Sequence, residues 1–376
     1  MTTRGRSPRA RARASMTHGS ARLLISRGSA RESISRGVAA LVLALAAAAC
    51  DRGAAAGSRA RVIISNEDDG TISVIDMRSR EVTATIPVGK RPRGLRVSPD
   101  GATLYVALSG SPKAGPGAAA APPRPADRAA DGIGVVDLER LALVGVIPSG
   151  QDPESFDLAA GGLLVASNEE TAEASIVDIA SRAIRARVPA GAEPEGVTAA
   201  PDGLVWVTSE AEARVTAIDP ARGAAVASVP TGLRPRSIAF TPDGALGLVT
   251  GEMDASITLI DARARRAAGQ IAIPREAAAD AAIRPMGIAI SPDGRRAYAT
   301  TGRGGSIAVI DLSARRVERL IRDVGARPWG IAVGPDGVLY TANGPSNDVA
   351  VVDPAAGTVV ARIPVGRSPW GVAVAP

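Results

Sequence analysis

From Arg61 onward the chain alternates apolar and polar positions in short runs, each broken by Pro, Gly or Asp. Period-two alternation over such lengths predicts half-buried β-strands, and no helical period outlasts a turn. The runs repeat. Seven of them end in Asp, at Asp76, Asp137, Asp178, Asp219, Asp261, Asp311 and Asp353, with steps of 61, 41, 41, 42, 50 and 42 residues. Two insertions account for the long steps: the Ala/Pro/Gly-rich stretch 110–131 and the stretch 274–283, which contains "PREAAADAAI". After each Asp come a polar turn and a strand, usually ending as in "ATIPVG" or "ASVPTG". A Pro-x-Gly or Pro-x-Ser step and another apolar strand follow. That strand runs into Pro-Asp-Gly at 99–101, 201–203, 242–244, 292–294 and 335–337, while the second unit keeps only glycine, as "AAGG". Pro fixes φ at the first turn position, Asp bonds back to the main chain, and Gly takes the left-handed position.

A unit of about forty residues with four antiparallel strands cannot bury both faces alone, but seven stacked radially can. The prediction is an all-β, seven-bladed β-propeller. The chain ends at "SPWGVAVAP", one strand into a repeat, while "RVIIS" at its other end lacks the strand that should precede it. The C-terminal strand therefore completes the first blade. N-terminal strands B, C and D join C-terminal strand A, and Val372 and Val374 pair with residues 62–65.

The units "RPWGIAVGPDGVLYTANGPSNDVAVVD" and "RPRGLRVSPDGATLYVALSG" resemble the YVTN β-propeller repeat, as in YncE-like exported proteins. The resemblance covers 61–376. It implies a seven-bladed propeller, usually exported and usually a binding or structural module. Seven-bladed lactonases and the haem-binding propellers of nitrite reductases share the repeat style. What the resemblance implies for their sites includes His, and the only His here is His18, near the N-terminus. Neither chemistry carries over residue by residue.

Residues 1–49 hold nine Arg and one acidic residue. Subtracting them from 44 basic and 38 acidic residues leaves 35 and 37, so the net charge of +6 belongs to this leader. A nucleic-acid reading based on overall charge loses its ground. The apolar run "GVAALVLALAAAAC", Gly37 to Cys50, suits a signal-peptide core and is too short to span a bilayer comfortably. It resembles a bacterial lipoprotein signal, with Cys50 as the lipidated residue. Cleavage after Ala49 without lipidation is the alternative. The expected organisation is a signal peptide over 1–49, a linker over 50–60 and the propeller over 61–376. A sole Cys forms no internal disulfide. We expect a monomer, exported to the periplasm or cell surface and tethered to the membrane.

Strand direction puts both insertions and the variable residue of each Pro-x-Gly step on one face of the ring. Those residues are Arg93, Glu154, Glu195, Arg236, Met286, Trp329 and Trp370, flanked two positions earlier by Arg91, Asp152, Glu193, Arg234, Arg284 and Arg327. Two of the three Trp occupy equivalent sites, and Trp is enriched where binding energy concentrates. The competing expectation is that Trp329 and Trp370 plug the channel and the charges are solvated. The acidic turns Glu67-Asp68-Asp69, Glu169-Glu170, Glu210, Glu212, Glu252 and Asp254 have no calcium-loop spacing and read as solvated, so we expect no metal and no cofactor. The expected function is an envelope binding or scaffolding module for an envelope protein or small ligand, not an enzyme. A lactonase-like hydrolase is one alternative; carboxylates converging on one point in a deep polar channel would favour it. Single-stranded nucleic-acid binding, by Arg and Trp on one face, is the other.

Overall fold

A computed structural model describes residues 60–113, 125–274 and 283–375. The expected signal peptide, Cys50, all of the expected linker except Ala60, half of the insertion 110–131 and most of the insertion 274–283 lie outside the described residues. The propeller is built from seven four-stranded antiparallel sheets. Blade 4 is representative: Pro194–Ala199 innermost, then Val205–Ser209, Arg214–Asp219 and Ala224–Pro230 at the outer edge. Blade 1 is closed by the two ends of the chain, as expected. The strand Pro369–Ala375 pairs with Arg61–Asn66 in the register Val62↔Val374 and Ile64↔Val372. The inner strands of blades 2 and 6 are shorter than the repeat implies, Leu95–Val97 and Ile288–Ile290, because they begin after the Pro-x-Gly step.

Each repeated polar residue has a local job. The Asp that ends the third strand turns its carboxylate onto the next turn. Asp76 Oδ1 accepts from the N–H groups of Arg78 (2.9 Å) and Ser79 (2.8 Å), and Asp353 Oδ1 does the same for Ala355 and Ala356. The Pro-Asp-Gly turns form as predicted. Asp243 Oδ1 accepts from Ala245 N–H at 3.0 Å, while Gly244 sits at φ 68°.

Burial lies between blades. Seven apolar clusters span the seven blade–blade contacts. Ile63, Ile72 and Val74 of blade 1 meet Leu95, Leu104 and Val106 of blade 2. Across the closure, Val62, Ile64 and Ile75 meet Tyr340, Val349 and Val351 of blade 7. The third Trp, Trp206, is fully buried between blades 4 and 5, its ring 5.8 Å from that of Phe240.

Hydroxyls near the end of the second strands stitch neighbouring blades at the channel. Ser65 Oγ donates to Arg93 O (2.7 Å), Ser167 Oγ to Glu195 O (2.8 Å), Thr250 Oγ1 to Met286 O (2.8 Å) and Thr300 Oγ1 to Trp329 O (2.7 Å). The glycine of Pro-x-Gly lets these backbones approach. A Cβ on Gly371 would lie 2.3 Å from Arg93 O, and one on Gly330 would lie 2.5 Å from Trp370 O. We expect Gly330→Ala to lower stability by about 1–3 kcal/mol through this overlap. Gly344→Ala, whose Cβ would meet nothing nearer than 3.5 Å, serves as the near-neutral control in denaturant unfolding.

Candidate active site at the channel ring

The seven Pro-x-Gly side chains form one ring around the central channel. The turn before each inner strand sets their geometry. Arg91, Asp152, Glu193, Arg234, Arg327 and Ser368, each directly before the Pro, hold left-handed φ between 42° and 56°. Non-glycine residues rarely sit there, and they concentrate where structure constrains function. One consequence is that residues two apart in sequence act on one partner. Arg91 Nε and Arg93 Nε both donate to Glu67 Oε1, at 3.2 and 3.0 Å. Arg234 and Arg236 likewise both reach Glu210 and Glu252.

This corrects the expectation of solvated acidic turns. Glu67, Glu210 and Glu252 are buried, at 5, 6 and 8% exposure. They follow the second strand at one shared offset; Glu67 and Glu210 face the arginines of the next blade, and Glu252 faces Arg234 and Arg236 of its own. Burial opposes the charge on Glu67, but Arg93, Lys113 and Arg91 outweigh it and hold its carboxyl at about 2. Between blades 3 and 4 the same offsets give only acids, Glu169 against Glu193 and Glu195. There burial, and then the charges of Glu195 and Asp152, push the Glu169 carboxyl up. Asp152, Glu154 and Glu169 converge, each offering an oxygen within 4.8 Å of the others. These oxygens could coordinate a hard cation, but Glu154 is already ion-paired with Arg93 and Asp152 already accepts from Ser109 Oγ.

Arg236 is the hub of blades 4 and 5. Its guanidinium donates to Glu195 Oε2 (3.0 Å), to Glu252 Oε2 (2.7 Å) and to Glu210. Arg234 Nε donates to Glu210 Oε2 at 2.6 Å from a half-exposed position. Three buried carboxylates thus share two arginines. Burial, the charge of Glu195 and a hydrogen bond with Glu195 push the Glu210 carboxyl well above the usual range, against Arg236 and Arg234. On Glu195, burial opposes the charge, but Arg236 and the hydrogen bond from Glu210 hold the carboxyl low. The two carboxyls of the Glu195–Glu210 pair are therefore pushed in opposite directions by one set of neighbours. Two carboxyls whose environments push their pKa values apart are the raw material of acid–base chemistry.

The other side of the ring is apolar. The Trp329 and Trp370 rings are 5.8 Å apart and tilted by 47°. Arg327 lies 4.7 Å over Trp329 and Arg93 lies 5.9 Å from the Trp370 centroid. Met286 is buried beside them. Glu195, Arg236, Met286, Trp329 and Trp370 line one end of a cavity of about 400 Å³. The cavity runs down the channel to Pro201 and Pro242, in the turns on the opposite face. Arg93 and Glu154 complete the ring outside this lining, Glu154 fully buried. Sequence reasoning placed the ring but missed Glu67, Glu210 and Glu252 as members. The signal was present: Asn66-Glu67, Asn168-Glu169, Ser209-Glu210 and Gly251-Glu252 are equivalent positions of the repeat.

No curated protein matches the chain. Among solved structures it is similar to the periplasmic gluconolactonase of Pseudomonas aeruginosa, at 18% identity and TM-score 0.66, over 84% of this chain and 99% of that one. A Lactobacillus plantarum protein is 17% identical with TM-score 0.68, over 84% and 98%. The hydrazine synthase of Kuenenia stuttgartiensis is 20% identical with TM-score 0.63, over 77% and 91%. At these identities the likeness establishes the fold. The chain is thus a seven-bladed propeller whose residues 205–361 match the family described as lactonase, 7-bladed beta-propeller.

Proposed function

We propose that the chain is a hydrolase that opens a small ring ester at the Glu195–Arg236 end of the channel. The observation that carries this is the buried Glu195–Glu210 pair, clamped by Arg236 at the wall of a cavity large enough for a small molecule. The match over 205–361 includes Glu210 and Arg236 and favours this chemistry over the scaffold reading. Glu195, ionised and on the cavity wall, takes a proton from water as the water oxygen bonds to the ester carbonyl carbon. Arg236 lies where it stabilises the negative charge that develops on the carbonyl oxygen. As the acyl–oxygen bond breaks, the ring oxygen receives a proton from the pair through Glu195, its member on the cavity wall. The proton from water restores the pair, so one water is consumed and a hydroxy acid leaves. No imidazole is required. With the leader and Cys50 as read from the sequence, we place this reaction outside the cytoplasmic membrane.

The test is proton release from hydroxylated and alkyl-substituted δ-lactones. Turnover above spontaneous hydrolysis is expected for at least one, falling about 10²–10⁴-fold in Glu195→Gln. Unchanged melting would show that this variant is folded. Hydrolysis of neither lactone, or full activity in folded Glu195→Gln, would sink the proposal.

A further inference from the structure

We infer that the ring ester accepted here carries an apolar substituent, an alkyl or aryl chain, and is not polyhydroxylated. This rests on the hydrolase reading for the position of the ester, and on the channel wall for the rest. Away from Glu195 and Arg236, the cavity is bounded by Ile238, Ala239, Phe240, Ile288, Ile331 and Val372. Ala239 is the fourth residue after Pro235, and the same place is alanine in blades 6, 7 and 1: Ala289, Ala332 and Ala373. Of these four, Ala239 lines the cavity, where its small side chain leaves room, while Ala373 packs in the cluster shared with blade 2.

Blades 2, 3 and 4 carry Arg96, Asp157 and Thr198 at that place, and these polar groups are already engaged. Arg96 Nε donates to Asp157 Oδ1 (2.8 Å) and Arg96 Nη2 to Val197 O (3.1 Å). Asp157 Oδ2 accepts from Ala199 N–H (2.9 Å), and Thr198 Oγ1 donates to Ile238 O (2.7 Å). Near the far end Thr241 Oγ1 donates to Asp243 Oδ1 at 2.5 Å. Hydroxyls entering this stretch would meet a wall whose polar groups are largely committed to one another and whose remainder is apolar, and burying a poorly paired polar group is costly. Methylenes entering it gain about fourfold in affinity each. The ring ester therefore sits with its carbonyl at the polar end and its substituent running toward Pro201 and Pro242.

The experiment separates binding from turnover. Two non-hydrolysable six-membered lactams are titrated calorimetrically into the wild-type protein, one bearing a pentyl chain and one the hydroxyls of gluconolactone. The pentyl lactam should bind on the order of 10²-fold more tightly. Ala239→Phe should weaken it at least tenfold and leave the hydroxylated lactam unchanged. Ala239→Leu is the milder second variant if Phe disturbs folding, and the wild-type ratio decides even if neither variant folds. Equal or tighter binding of the hydroxylated lactam overturns the inference, as does no binding of either. Binding of the pentyl lactam without hydrolysis of any lactone upholds the apolar assignment and removes the hydrolase reading. Preferential hydrolysis of the hydroxylated lactone upholds that reading and overturns the inference.

Discussion

Deleting residues 368–376 should unfold the whole propeller, not merely fray one blade. The strand Pro369–Ala375 supplies the inner edge of blade 1 and lies against both of its neighbours. Ala373 and Ala375 pack in the cluster shared with blade 2, while Val372 and Val374 pack in the cluster shared with blade 7. Its backbone adds the ladder to Arg61–Asn66. Gly371 N–H donates to Ser65 Oγ at 2.8 Å, and Glu67 N–H donates to Ser368 O at 3.0 Å. Without the strand, Val62, Ile63 and Ile64, all at 0% exposure, become an open apolar edge. Two half-buried valines contribute up to about 1.5 kcal/mol each. The lost ladder and contact bonds contribute about 1 kcal/mol each. The sum is on the order of 5–10 kcal/mol, comparable to the whole stability of a typical domain. Urea unfolding followed by circular dichroism should show no cooperative native transition for the truncated chain. A wild-type midpoint would mean that the closure is dispensable.

That strand was legible in the sequence because each element of the repeat answers to local chemistry. The strand-ending Asp accepts from its own turn, the Pro-Asp-Gly turn needs its three residue types in order, and the Pro-x-Gly glycine clears a neighbouring carbonyl. Residues with local jobs recur at fixed offsets, so seven blades can be counted and the split first blade recognised. The ring Arg93 to Trp370 followed from the same register. What stayed illegible is pairwise and crosses blades. Glu210 reads as a polar turn residue until the next blade sets Arg236 against it and the inner strand of its own blade sets Glu195 nearby. Glu67 reads as solvated until Arg91, Arg93 and Lys113 surround it. The missing His weighed against hydrolysis because the oppositely shifted carboxyl pair is a property of burial, and burial at a turn is not written in the turn.

Arg236→Met should lower stability and make its loss with rising pH steeper. In the wild-type protein Glu195 and Glu67 are held low by arginines, so their contributions are present above the unfolded carboxyl value and lost as pH falls through the folded one. Removing Arg236 leaves Glu195, Glu210 and Glu252 buried, with the half-exposed Arg234 still paired to Glu210 and Glu252 and only the charges of Arg93 and Arg234 acting on Glu195. Stripping one partner from a buried ion cluster costs about 3–5 kcal/mol. Met matches the volume and apolar stem of Arg, so the loss is electrostatic and not a cavity. The stranded carboxyls then hold protons in the fold more tightly than in the unfolded chain. For groups raised in this way, stability is fully present below the unfolded value, 4.5 for Glu, and is lost as pH rises through the raised value. Thermal melts from pH 5 to 8 should therefore show a decline with rising pH that is steeper in the variant than in the wild type, where Glu210 and Glu169 are the raised carboxyls and Glu195 and Glu67 have already made their gain at lower pH. Adding Glu210→Gln and Glu252→Gln should flatten the variant's curve, because two of the three titrating groups are gone. If Arg236→Met keeps the wild-type melting temperature and pH profile, Arg236 does not neutralise the cluster. The opposed shifts of the carboxyl pair on which the proposed acid–base chemistry depends then have no electrostatic basis.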